Sequence, residues 1–296
     1  MTHSRTTRRL VALGLPLLAG AARAGIRTSS RSPLAAIERR HGGRLGLFAL
    51  DTGSGRALQH RADERFLMCS TFKALLAAQT LARVDAGYES LARVIPYTKQ
   101  DLLFTSPVTE ARVAQGGMPV GELCQAMLEF SDNTAAVLLM HRAGGPAALT
   151  RFVRACGDEV TRSDRFEPEA NRLDGPLDTT SPRAMAKTLT TLLLGKTLQP
   201  ASRQRLEDGM VACRPGLQRL RAVLPADWAA GDRPGTSVDR ASNDCAIVRP
   251  PGRAPLLVAM YYDAPRVAMP DRERVLREAG RVFVQWAASA AVGSSN

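Results

Sequence analysis

Ser70 and Lys73 stand three residues apart in "CSTFK", residues 69–73. That spacing puts both on one face of a helix beginning near Ser70. A serine at a helix N-terminus has its developing negative charge stabilised by the dipole and the free N–H groups. A lysine one turn on can take the hydroxyl proton, provided burial leaves it partly neutral. On its own the pair proves little, because Ser-x-x-Lys recurs in many helices and an N-cap serine needs no chemistry. Two further groups accompany it. Ser131-Asp132-Asn133 follows a helical stretch ending at Phe130, and Glu167 and Asn171 lie four apart in "FEPEAN". Each has a plainer reading, as a helix cap and as a loop carboxylate facing water.

The elements that must position these residues follow from periodicity. Residues 44–61 form two alternating segments around Asp-Thr-Gly-Ser-Gly, which predicts a hairpin. From about 70 to 212 the apolar residues recur at helical spacing, with Ser181-Pro182 as a helix start. Strand character returns in "DCAIVRP" and "APLLVAMYY". The last stretch has Val275, Leu276, Ala279, Val282, Phe283 and Trp286 at spacings of three and four, a helix with one apolar face. Strands near both chain ends with helices between them predict an α/β chain of the α+β type. Its antiparallel sheet is flanked by terminal helices, an all-helical part is inserted, and a cleft forms where the two meet. The expected boundaries are 25–61 and 213–296 for the α/β domain and 62–212 for the helical domain.

The first 24 residues carry four arginines and no acid around the apolar run Leu10–Ala22, and Ala22-Arg23-Ala24 offers small residues for cleavage. This reads as an export leader too short to span a membrane, and so predicts a periplasmic protein. The paired Arg8-Arg9 is compatible with either the general or the twin-arginine route. The chain has 296 residues and a net charge of +12, and loss of the leader's four arginines lowers that to +8. Its only lysines are 73, 99, 187 and 196, and no basic run is interleaved with aromatics. The charge is therefore spread over the surface and predicts no nucleic-acid partner. Five cysteines (69, 124, 156, 213 and 245) leave at least one unpaired and match no zinc spacing. The histidines 3, 41, 60 and 141 are scattered, so neither a Ser-His-Asp triad nor a histidine metal site is readable. Metal-free, cofactor-free chemistry in a monomer is expected.

The three motifs, in this order, resemble class A serine β-lactamases. The likeness extends along nearly the whole mature chain, through "YTKQDL", "SDNTAA", "RFEPEAN", "DTTSP", "RLRAVLPADW" and "APLLVAMYY". The resemblance implies β-lactam substrates, with Ser70 attacking the lactam carbonyl and Lys73, or Glu167 through a water, taking its proton. Ser131 relays a proton to the leaving nitrogen, and Glu167 with Asn171 activates the water that releases the acyl group. It places the N–H groups of Ser70 and Thr236 in an oxyanion hole and Asn133 against the substrate side-chain amide and Lys73. Arg219 falls near the substrate carboxylate, and Arg165 pairs with Asp178 to close an Ω-loop over 162–178.

The chain also departs from that family. The Ω-loop is about two residues shorter, and Thr105 stands where an aromatic residue lines the cleft mouth, with Phe104 beside it expected to point elsewhere. The family's Lys-Thr-Gly strand is replaced by Arg233-Pro234-Gly235. Arg233 keeps the charge, while Pro234 removes a hydroxyl. Because N–H groups of residues i and i+2 point the same way along a strand, the missing N–H of Pro234 and the N–H of Thr236 both face the cleft. The first half of "GDRPGTSVDRASND" is expected to be a strand edging the cleft, with Arg233 and Thr236 facing substrate, and its second half a turn into "DCAIV". Ser237 stands where some relatives place a cysteine partner for Cys69, so that disulfide is excluded. The resulting expectation is hydrolysis of penicillins or cephalosporins. A slowly acylated β-lactam binder and a D,D-peptidase-like enzyme are the alternatives.

Overall fold

The computed structural model describes residues 1–2 and 32–289, so the expected leader lies outside the described residues except for its first two. Helix α1 (Pro33–His41) leads into the predicted hairpin of β1 (Arg44–Asp51) and β2 (Ala57–His60). After the helical body the chain returns as β7 (Ala229–Thr236), β8 (Ala241–Arg249) and β9 (Leu256–Asp263) and ends in α9 (Met269–Ser289). These five strands form one antiparallel sheet in the order β2-β1-β9-β8-β7. The hairpin at one end of the chain therefore pairs with strands from the other, as their patterns implied.

Alternation along the central strands explains the layers. Leu256, Val258, Met260 and Tyr262 of β9 point into a core shared with α1 and α9, where Leu34, Val275, Leu276, Ala279 and Phe283 meet them. Leu257, Ala259 and Tyr261 point the other way, into the core of the helical body. That body contains α2 (Phe72–Asp85), α3 (Pro107–Arg112), α4 (Val120–Phe130), α5 (Asn133–Arg142), α6 (Pro146–Ala155), α7 (Pro182–Leu194) and α8 (Pro200–Val211). Residues 72–81 of α2 are all buried, so this helix runs through its middle. Helix α7 begins as read, with the Ser181 hydroxyl accepting from Ala184 N at 3.2 Å and Pro182 in the first turn. Two short pairings complete the chain: β3 (Phe66–Leu67) with β6 (Thr179–Thr180), and β4 (Val94–Pro96) with β5 (Gly117–Pro119). No helix among the described residues is long and apolar enough to cross a membrane.

The sequence misassigns one segment. Residues 241–244, "ASND", are not a turn but the first residues of β8, paired with β7 and β9 and wholly buried. Polar composition argued for solvent, but Asn243 finds its partners inside. It stands in phase with Cys245 and Ile247, and its Nδ2 donates to the carbonyl oxygens of Leu67 and Met68 at 2.9 and 3.0 Å. The true turn is only residues 237–240, held by the Ser237 hydroxyl, which accepts from the N–H groups of Arg240 and Ala241.

Candidate active site

Ser70 sits in a single 3₁₀ turn, Cys69–Thr71, immediately before α2. Three contacts fix that turn. Asn243 holds the carbonyls that precede it, the Thr71 hydroxyl donates to Met68 O at 2.8 Å, and Thr71 Oγ1 lies 3.2 Å from the Tyr261 hydroxyl. Cys69 adopts φ 46°, a left-handed conformation uncommon outside glycine, next to the candidate nucleophile. The Ser70 side chain is half-buried and borders a cavity of about 470 Å³.

Lys73 is fully buried below it. Its Nζ donates to Ser131 O at 2.8 Å, Ser131 Oγ at 3.2 Å and Asn133 Oδ1 at 2.5 Å, and stands 3.7 Å from Glu167 Oε1. Burial lowers the Lys73 pKa to about 8; the Arg233 charge adds to this, and the Glu167 charge opposes it. Burial conversely raises Glu167 above the usual carboxylate range, against the pull of Lys73. The two groups are thus drawn toward each other in proton affinity across a short gap. Asn171 Nδ2 donates to Glu167 Oε2, while Glu167 Oε1 and Asn171 Oδ1 are buried acceptors with no hydrogen-bond donor among the described residues.

Ser131 and Asn133 are aimed by Asp132. Ser131 takes φ 62° at the end of α4, and Asp132 then caps α5 by accepting from Ala135 N at 2.9 Å. The Asp132 carboxylate also accepts from the N–H groups of Val108 and Thr109 and from the Thr109 hydroxyl, all near 3 Å. It is fully buried and structural. The base of the Glu167 loop is closed by the expected pair, Arg165 Nε to Asp178 Oδ2 at 2.7 Å, with Asp178 Oδ1 accepting from the backbone of 164 and 165.

Strand β7 forms the opposite wall. It is an edge strand, paired on one side with β8, and Gly235 lies against the serine turn. A Cβ at Gly235 would stand 2.7 Å from Met68 O and 3.2 Å from Ser70 N, so only glycine allows this approach. Ser237 N donates to Ala241 O across the hairpin at 2.9 Å. By alternation, the N–H of Thr236 and the missing N–H of Pro234 face away from β8, on the free edge of the strand, and both residues border the same cavity as Ser70. Proline therefore breaks no ladder bond here.

Two arginines do not stand as expected. Arg233, meant to face substrate, is wholly buried and donates through Nη1 to Met127 O and Leu128 O, at the end of α4, at 3.1 and 2.7 Å. Carbonyls unsatisfied at a helix C-terminus attract a cation. Its Nη2 has no acceptor among the described residues, and the residue still borders the cavity. Arg219 lies 2% exposed behind β7, donating to Gly235 O, Asn243 O and the Thr236 hydroxyl at 2.9, 2.7 and 2.6 Å. It orients Thr236 instead of lining the cleft. Phe104 was expected to point elsewhere but is 58% exposed and borders the cavity together with Thr105. Thr105 at φ 56° breaks the alternation that would have sent neighbours to opposite sides. All five cysteines are free thiols.

The sequence reading missed Arg272. It borders the cavity from α9 and clamps the 237–240 turn, donating to Ser237 O and Ala241 O at 3.0 and 2.9 Å and to Val238 O at 3.2 Å. The signal was present: Arg272 is in phase with Val275, Leu276 and Ala279, a charge on an apolar stripe.

A family model described as the beta-lactamase enzyme family matches residues 30–287. The chain belongs to the class A β-lactamase family. Among curated relatives, the carbapenem-hydrolysing β-lactamase KPC of Klebsiella oxytoca is 42% identical over 271 residues, covering 90% of this chain and 92% of that one. β-Lactamase L2 of Stenotrophomonas maltophilia is 43% identical over 283 residues, covering 91% and 92%. A crystal structure of a β-lactamase from Burkholderia vietnamiensis is 68% identical, with a TM-score of 0.88 over 90% of this chain and 99% of that one. A reconstructed ancestral class A β-lactamase is 56% identical, with a TM-score of 0.83 over 85% and 97%. This β-lactamase is therefore a β-lactam hydrolase with the family's α/β architecture.

Proposed function

We propose that this β-lactamase is an exported enzyme that hydrolyses penicillins and cephalosporins through an acyl-enzyme on Ser70. The observation carrying the hydrolytic half is the pair of buried acceptors, Glu167 Oε1 and Asn171 Oδ1, beside Lys73. Two acceptors with no protein donor are what a water needs to be held and deprotonated. Ser70 Oγ bonds to the lactam carbonyl carbon and gives its proton to neutral Lys73, or to Glu167 through a water. The N–H groups of Ser70 and Thr236 receive the oxyanion, each such donor being worth about 3–4 kcal/mol. The C–N bond then breaks, and its nitrogen takes the Ser131 hydroxyl proton, which Lys73 replaces. A water gives its proton to Glu167 and its oxygen to the acyl carbon; the bond from that carbon to Ser70 Oγ then breaks, and Oγ takes the proton back from Glu167.

The substrate carboxylate meets positive charge rather than a single arginine fork. Arg233, Arg219 and Arg272 surround the Pro234–Thr236 segment, each engaged with backbone carbonyls. Pro234→Thr is expected to add one charge-assisted hydrogen bond to that carboxylate, worth about 1.5–3 kcal/mol. KM should fall about 10–100-fold with kcat unchanged. An unchanged KM would mean the arginine field already saturates carboxylate binding.

The deciding assay mixes the enzyme with a chromogenic cephalosporin and follows the full time course. Many equivalents should be hydrolysed at a steady rate. Activity should fall on acidification through a midpoint above that of an ordinary carboxylate, because Glu167 must be ionised to act as a base. A single burst of one equivalent with a stable adduct would overturn the hydrolytic reading in favour of a trapped acyl-protein.

A further inference from the structure

A second cavity, of about 550 Å³, lies among α2, α4 and α8, bordered by Leu81, Cys124, Leu128, Arg205, Asp208 and Gly209. None of these residues takes part in the chemistry above. Leu81, Cys124 and Leu128 are almost fully buried and make an apolar floor. At the rim Arg205 is exposed and makes no hydrogen bond or ion pair among the described residues, whereas Asp208 already accepts from Gln204 Nε2 at 2.8 Å. An apolar floor beneath one unpaired guanidinium suits a small ring bearing a carboxylate. Burial pushes the Cys124 thiol up to about 12, and the Arg205 charge opposes that rise.

The cavity is mechanically joined to the active site by one residue. The Leu128 side chain borders it, while the Leu128 carbonyl oxygen holds Arg233 Nη1 at 2.7 Å. Helix α8 presses on the same side chain, since a Cβ on Gly209 would stand 2.5 Å from Leu128 Cδ1. A ligand that pushes α4 at Leu128 through this side chain therefore shifts the carbonyl that seats Arg233. We propose that this cavity is a second ligand site, for a small aromatic carboxylate, whose occupancy is transmitted through Leu128 to Arg233 and weakens substrate binding. The transmitted effect rests on the hydrolytic reading above; the binding does not.

Biphenyl-4-carboxylate is the probe and its uncharged carboxamide the comparator. Binding is followed by amide chemical shifts of the whole enzyme, with the Ser70 cleft free and with it occupied by a phenylboronate. The carboxylate should shift the Cys124, Leu128 and Gly209 amides in both cases, and the carboxamide should bind more weakly. Arg205→Glu should weaken the carboxylate about 10-fold or more while leaving turnover without probe unchanged. Saturating probe should raise KM about 3-fold or more at constant kcat, and Gly209→Ala should raise KM without any probe. Failure of those amides to shift, displacement by the boronate, or equal affinity in Arg205→Glu would overturn the site. Binding with an unchanged KM would overturn the link to Arg233. Because binding is read from shifts, its failure is distinguishable from failure of the hydrolytic reading.

Discussion

Ser70→Ala is expected to lower kcat by on the order of 10⁶, the scale seen when a serine hydrolase loses its nucleophile. No covalent adduct should appear by intact mass. The change removes little else. The Ser70 hydroxyl makes no hydrogen bond among the described residues, so no partner is stranded. Its turn is held by Asn243, Thr71 and Tyr261. Stability should stay within about 0.5 kcal/mol of the parent. The Ser70 and Thr236 N–H groups also remain, so substrate should still bind. Turnover within tenfold of the parent would sink the assignment of Ser70.

Glu167→Ala should have the opposite signature, an adduct that forms and persists. Removing a general base costs about 10²–10⁴-fold, and here that loss should fall on deacylation. The electrostatics say why acylation is spared. The Glu167 charge raises the pKa of Lys73, so its removal lets that pKa fall below about 8. More of Lys73 is then neutral at neutral pH and able to take the Ser70 proton. The readout is the fraction of enzyme carrying acyl mass after quenching. Rapid loss of the adduct in this variant would show that Glu167 is not the deacylating base.

The cleft's main parts were legible because each carried its own local signal. Ser70 and Lys73 share a helical spacing, Ser181-Pro182 starts α7, and alternation marks the β1–β2 hairpin and β9. Side-chain direction within the cleft was less legible. Arg233 reads as facing substrate because it stands where the family's Lys-Thr-Gly strand has its lysine. The α4 carbonyls that capture it are more than a hundred residues away in sequence. Arg219 was taken for a cleft residue and instead orients Thr236 from behind. "ASND" was read as a turn because a composition rule cannot know that Leu67 and Met68 offer carbonyls to Asn243.

What the sequence by itself determined is which chemical groups exist and which neighbours along the chain share a face. It thereby determined the Ser70–Lys73 spacing, the helix starts and the strand alternation. It also tied the missing N–H of Pro234 to the same side as the N–H of Thr236 by the i to i+2 rule, while the edge position that makes proline harmless to the ladder came from the sheet order. Only the tertiary structure decided where each charge points and how strongly it is buried. Proton affinities depend on solvent exclusion and on charges brought close by folding, and neither is a property of local sequence. The shift of Lys73 to about 8, the raised affinity of Glu167 and the arginines seated on carbonyl oxygens exist only once the helical body closes on the sheet.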